Sequence, residues 1–216
     1  MDYNKKKKDY FKNVRYDVLS LHNFTDNTNV LEIGSGHGST LLYLKEKQQH
    51  IKVIGVDIVT SNNVEKLDNF FCLNIEKENL PKEIQGLEVV IFADVLEHLY
   101  NPKIVLEKIK KRIVKSGNIL VSMPNIRNVK SMIRVFLKGD FSYEEEGVFD
   151  YTHVRFYCKK DIKKLIESSG YKIEKITSDF KIHKGKAKIK FLNMITFGVF
   201  EEFLTVQYLI KASKVE

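Results

Sequence analysis

Residues 30 to 38 read Val-Leu-Glu-Ile-Gly-Ser-Gly-His-Gly: an apolar run holding one carboxylate, Glu32, then Gly34, Ser35, Gly36 and Gly38, then a helical stretch from Ser39 to Lys47. Glycines this dense let a backbone turn sharply through positive φ and approach a ligand closely, which is how a nucleotide-type cofactor loop is built. A loop that grips a pyrophosphate has the spacing G-x-G-x-x-G. Here the third glycine comes one residue early and Ser39 stands in its place, so a pyrophosphate is disfavoured. Glu32 argues the same way, because a carboxylate at the end of the first strand repels a dianion and suits a cationic ligand carrying an amino group. Asp57, with Ile58 beside it, ends a second apolar run 23 residues after Gly34. That is close to the ~20 residues at which an acid accepts hydrogen bonds from both hydroxyls of a ribose.

Two further groups could carry chemistry. Asp94, Glu97 and His98 stand at i, i+3 and i+4, and share one face if a helical turn begins at Asp94. Such a cluster could shape a ligand pocket, supply a base or hold a divalent cation, and the spacing leaves these open. Phe149-Asp150-Tyr151-Thr152-His153-Val154-Arg155-Phe156 places an imidazole in a polar and aromatic loop. His153 is therefore a candidate general base, with His98 as its rival. Arg155 could orient an acid such as Asp150 or bind an anionic substrate group.

The E-x-G-x-G-x-G pattern resembles the first motif of class I S-adenosylmethionine (SAM)-dependent methyltransferases. D-x-L-E-H-L at 94–99, with Pro102 close behind, resembles the small-molecule branch, in particular ubiquinone-pathway and polysaccharide-associated members. Pro124-Asn125 followed by D-x-T-H-x-R-F resembles the polysaccharide-associated members most closely, and the Gln207-Tyr208 ending is similar. The resemblance implies SAM as cofactor and S-adenosylhomocysteine as product, held by Glu32, Gly34, Ser35, Gly36, Gly38, Asp57, Ile58, Asn74, Ile75 and Asp94. At Asn74 the family has an acidic residue for the adenine amino group; an amide oxygen can still accept that bond, with Ile75 against the ring. The implied reaction is in-line O-methylation of a sugar or similar small polar metabolite, nucleotide-linked and lipid-linked acceptors included. His153 or His98 would be the base and Asp150 part of the catalytic set. No metal is expected, although Asp94, Glu97 and His98 resemble residues thought to hold a cation in ubiquinone-type enzymes. An N-methyltransferase acting on an amino sugar and a non-catalytic SAM-binding subunit are the alternatives. RNA methylation ranks behind them, and the Asp/Asn-Pro-Pro-aromatic segment of nucleobase amino-methyltransferases is missing.

Bulk properties agree. A chain of 216 residues, 43% hydrophobic and 30% charged, fits one globular domain. The net charge of +8 comes from lysines alternating with Ile, Val and Glu, as on solvated helix faces, so nucleic acid is not the expected partner. Cys72 and Cys158 offer neither a disulfide framework nor metal-ligand spacing. No apolar run reaches the ~20 residues that span a bilayer, and Met1 to Lys8 lacks a signal-peptide core, so a cytoplasmic protein is expected. A small-molecule substrate is the expected partner, and a homodimer is left open.

The elements that must position these residues follow from periodicity. Phe11, Val14, Val18 and Leu21 recur at steps of three and four, predicting a helix over 9–22. Apolar strands are expected at 30–33, 52–58, 70–73, 89–93, 118–123, 171–176 and 203–212. Helices are expected at 39–47, from Asn101-Pro102 to a stop at Gly117, and at 161–169 closed by Gly170. Continuous apolar strands alternating with helices make a doubly wound, mostly parallel, seven-stranded Rossmann-like α/β sheet with helices on both faces. Lid insertions are expected after strands five and six, at 124–157 and 180–202, and the aromatic density of the first suits a pocket wall or an interface.

Overall fold

A computed structural model describes residues 13–60, 63–182 and 185–215. Its seven strands are β1 (Asn29–Ile33), β2 (Lys52–Asp57), β3 (Asn69–Cys72), β4 (Leu87–Ala93), β5 (Ile113–Pro124), β6 (Tyr171–Ser178) and β7 (Gln207–Lys214). They form one sheet in the order β3-β2-β1-β4-β5-β7-β6, parallel except for β7. The order reverses between β1 and β4, where an open α/β sheet leaves a crevice beyond its strand ends.

Both faces are covered, which is why the central strands read as unbroken apolar runs. Successive side chains point to opposite faces. Leu31, Val90, Phe92, Ile119 and Val121 join one core with Leu106 and Ile109 of α3 (Pro102–Lys110) and Ile162 and Ile166 of α5 (Lys159–Ser168). Val30, Val89, Ile91 and Leu120 join the other with Val18 of α1 (Tyr16–Leu19) and Leu41 and Leu44 of α2 (Ser39–Lys47).

Three expectations are corrected. Phe11 lies outside the described residues, and of the helix expected over 9–22 only Tyr16–Leu19 is an α-helix. Val18 and Leu21 are buried as their spacing requires, but residues 13–15 are non-helical and the Arg15 N–H donates to Thr40 Oγ1. Gly117 does not end a helix. It lies inside β5 beside a register shift, where a Cβ would stand 2.3 Å from Ile113 Cγ2 and 3.0 Å from the Leu87 carbonyl. The last strand begins at Gln207, because residues 201–204 form the short helix α8 (Glu201–Leu204).

The two insertions leave the same edge of the sheet. The first holds α4 (Val129–Met132), a π-turn over Ile133–Leu137 and the loop to Tyr157; the second holds α6 (Asp179–Ile182), α7 (Ala187–Ile195) and α8. Asn125, fully buried, stitches their roots together: its Nδ2 donates to the carbonyls of Glu202 (2.7 Å) and Thr205 (2.9 Å), and its Oδ1 accepts from Arg127 N–H. Asn125→Ala strands these buried groups and should cost about 2–4 kcal/mol in urea unfolding; a loss below about 0.5 kcal/mol would show that the stitch is not structural.

Candidate active site

A cavity of about 1110 Å³ opens at the ends of β1, β2 and β4. That exceeds the roughly 300–1,000 Å³ of most ligand pockets and leaves room for a donor and an acceptor together. Seven carboxylates line it against two basic side chains, Arg15 and Lys77. In a chain of net charge +8 this is a local inversion, and it favours a cationic ligand over a phosphate.

The glycine loop forms its floor. Gly34 (φ +73°) passes so close to Val95 that a Cβ would stand 2.6 Å from Val95 Cγ2, and the N–H groups of Gly34 and Ser35 donate to the Val56 carbonyl. Gly36 (φ +52°) donates its N–H to Asp57 Oδ2 at 2.8 Å, while Asp57 Oδ1 accepts from Val59 N–H at 3.0 Å. Asp57 thus ties the loop to β2. Burial raises its pKa against the pull of these N–H groups. Gly38 stands at the N-cap of α2, and Ile58, at the rim, is exposed.

Glu32 is buried at the base of the cavity, and its Oε2 has no hydrogen-bond partner among the described residues. Burial pushes its pKa up to about 8, although Arg15 pulls the other way. An orphaned buried carboxylate oxygen in a cavity wall is what a cationic ligand would satisfy.

Arg15 is the residue that sequence reasoning missed. Its Nη1 lies 2.6 Å from Asp94 Oδ2, its Nε and Nη2 each lie 3.0 Å from Asp17, and Nη2 also reaches Ser122 Oγ and Gln207 Oε1. Burial opposes its charge, but Asp94 and Asp17 more than offset that and raise its pKa. Asp94 Oδ1 accepts from Ser122 Oγ at 2.8 Å and from Gln207 Nε2. The only prior sign was a charged pair, Arg15 and Asp17, inside an apolar repeat. Asp94 lies 79 positions from Arg15 in the chain, beyond the reach of any local pattern.

Asp94 does not share a face with Glu97 and His98. Its φ of +57° breaks the helical path, and only Leu96–His98 form a 3-10 turn. Glu97 is fully buried, and neither side-chain oxygen has a hydrogen-bond partner among the described residues. Burial, then the charge of Asp94, hold its pKa well above the carboxylate range. His98 lines the cavity with Nδ1 3.1 Å from the Thr152 carbonyl, so Nδ1 carries the proton and Nε2 is the acceptor. Burial, then His153, push its pKa down to about 4.

His153 and Asp150 lie behind this wall and do not line the cavity. His153 Nδ1 is 3.0 Å from the Val148 carbonyl, its Nε2 is 3.9 Å from Glu97 Oε1, and its ring stands 4.7 Å from that of His98. Asp150 Oδ1 accepts from the Thr152 N–H and hydroxyl. Arg155 grips the Tyr100 and Leu99 carbonyls, while the N–H groups of Val154 and Arg155 both donate to the Glu97 carbonyl at 3.1 Å. The D-x-T-H-x-R-F segment is therefore the brace that sets the 94–100 turn. Asn74 is also differently employed: its Oδ1 accepts from the Glu76 and Lys77 N–H groups, capping a turn, with Asn74 and Ile75 both on the cavity wall. Among the described residues the cluster that could hold a cation is Glu97, His98 and His153, with Asp94 drawn off by Arg15. Its ligand atoms lie within 4.8 Å of one another, a looser limit than the roughly 3.4 Å separation that ~2.1 Å tetrahedral bonds give.

Since folded Glu32 keeps its proton up to about pH 8, the folded state binds more protons than the unfolded one above about pH 4.5. Stability is therefore greatest below the unfolded pKa and falls as pH rises through 5 to 8, by an amount on the order of 3–5 kcal/mol. Glu32→Gln should flatten that part of the stability profile in denaturant titrations at each pH; an unchanged slope would mean that Glu32 ionises freely.

Residues 5–176 match the family described as a methyltransferase domain. Over 159 residues the chain is 26% identical to the ubiquinone biosynthesis O-methyltransferase of Coxiella burnetii, which covers 68% of this chain and 65% of that relative. It is 25% identical over 167 residues to the Rickettsia bellii protein of that name, covering 74% and 68%. The chain thus spans just under two thirds of the Coxiella relative's length. A SAM-dependent methyltransferase from Aquifex aeolicus superposes with a TM-score of 0.62 at 14% identity, covering 97% of this chain and 95% of the other, a likeness of fold. The family match over most of its length, on a sheet and a glycine loop built in this way, places the chain among the class I SAM-dependent methyltransferases.

Proposed function

We propose that the protein transfers a methyl group from SAM to a hydroxyl of a small polar acceptor, a sugar or similar metabolite, with His98 receiving the hydroxyl proton. The observation that carries this reading is that His98 lines the acidic cavity with Nδ1 on the Thr152 carbonyl, which makes Nε2 the basic nitrogen of the ring. Glu32 and the backbone of Gly34 to Gly36 would hold the amino-acid end of SAM, Asp57 its ribose hydroxyls, and the 73–75 wall its adenine. When bound, SAM supplies an electrophilic methyl group on a sulfonium.

His98 suits an acceptor that turns acidic only as it reacts. An imidazole held near pKa 4 is unprotonated at neutral pH. It is too weak to strip a proton from a resting hydroxyl. An oxygen gaining a methyl group becomes far more acidic than imidazolium, so the proton moves as the methyl arrives and a weak base suffices. His153 and Asp150 act as positioning residues, fixing the turn that aims His98. The apolar wall formed by Val95 and Leu99 excludes water from one side, and alignment supplies most of the rate.

His98→Ala should lower kcat on a hydroxyl acceptor by about 10²- to 10⁴-fold while S-adenosylhomocysteine affinity stays within about threefold. The wild-type rate should show no acid limb near pH 6.5, because His98 is already unprotonated there. Unchanged hydroxyl transfer by His98→Ala would contradict the proposal. Transfer confined to amines would move the acceptor to an amino sugar, and S-adenosylhomocysteine binding without turnover on any acceptor would indicate a partner subunit.

A further inference from the structure

Helix α7 is amphipathic the wrong way round. Its inward residues, Ile189 and Asn193, with Thr196 just beyond, are only part-buried and two of the three are polar. Its outer ridge is apolar: Phe191 is 59% exposed, Met194 65% and Ile195 52%, and the following turn adds Phe197 at 95% and Val199 at 74%. At 100° per residue Lys190 flanks that ridge on one side and Lys188 on the other, both exposed and neither in an ion pair among the described residues. Five lysines and no acidic residue lie between 180 and 200. Separately, the other insertion, which leaves the same end of the sheet, exposes Phe136 and Leu137, 72% and 79%, beside an exposed Lys138. Clustered exposure on this scale marks an interaction site.

We propose that this face docks the protein on an anionic lipid bilayer, with α7 lying in the interfacial plane. An apolar ridge bordered by lysines matches what an acyl boundary beneath anionic headgroups requires. A second copy of the chain is the poorer partner, because a two-fold contact would set Lys188 and Lys190, in no ion pair among the described residues, against their own copies, while Lys181 and Lys186 are already paired with Glu201 and Asp179. No described helix is long and apolar enough to cross a membrane, so the contact lies on the bilayer surface. Since β5 and β6 run parallel, both apolar segments leave the sheet at the edge that carries the cavity, and docking brings that edge to the lipid surface. The docking is independent of the methyl-transfer reading.

Sedimentation of the full chain with phosphatidylcholine vesicles, with and without about a third phosphatidylglycerol, tests it. Binding should require the anionic lipid and weaken at least tenfold in about 0.5 M NaCl. Phe191→Ser with Ile195→Ser, and separately Lys188→Glu with Lys190→Glu, should each weaken it at least tenfold while circular dichroism and S-adenosylhomocysteine affinity hold. No binding to anionic vesicles, equal binding to neutral ones, or a dimer in sedimentation velocity that the serine variant dissociates without altering vesicle binding would overturn it.

Discussion

The guanidinium of Arg15, held between Asp17 and Asp94, is the contact on which the site depends. It is a mostly buried charge that would cost several kcal/mol if left unpaired, and two carboxylates answer it. Through Asp94 it reaches Ser122 on β5 and Gln207 on β7, so one side chain joins the N-terminal segment to the ends of three strands. Asp94 is thereby fixed in a positive-φ conformation, and the turn that follows delivers His98 to the cavity. The D-x-T-H-x-R-F brace fixes the same turn from behind.

Charge is sorted by depth. Lysines cover the outside, while the cavity gathers carboxylates; Glu32 in its wall and Glu97, buried outside it, have oxygens lacking hydrogen-bond partners among the described residues. Such groups are costly in the free protein, and both have raised pKa values as a result. A cationic ligand offsets that cost at Glu32, so part of the affinity for SAM would come from relief of an unfavourable burial already built into the fold. The same sorting keeps phosphates out, which agrees with the early third glycine of the loop.

What could be read from the sequence was whatever a short repeat encodes. Strands buried on both faces must be apolar throughout, so β1, β2 and β4 were legible, and the glycine spacing located the loop because no other residue tolerates Gly34 against Val95. Depth and distance were not legible. His153 has the chemistry of a base wherever it sits, and nothing local tells that a brace reaching back 55 positions, from Arg155 to Tyr100, buries it behind His98. The helix over 9–22 was overread for a related reason: Val18 and Leu21 keep their apolar spacing, but Arg15 leaves the helical path for partners far along the chain. Asn74 was assigned to a ligand by its type while its amide oxygen serves a turn.

Calorimetric titration of the full chain with S-adenosylhomocysteine and with NADH tests the acidic, pyrophosphate-excluding character of the cavity most directly. Saturable micromolar-range heat with S-adenosylhomocysteine and none with NADH is the expected result. Tight NADH binding with no response to S-adenosylhomocysteine would contradict it.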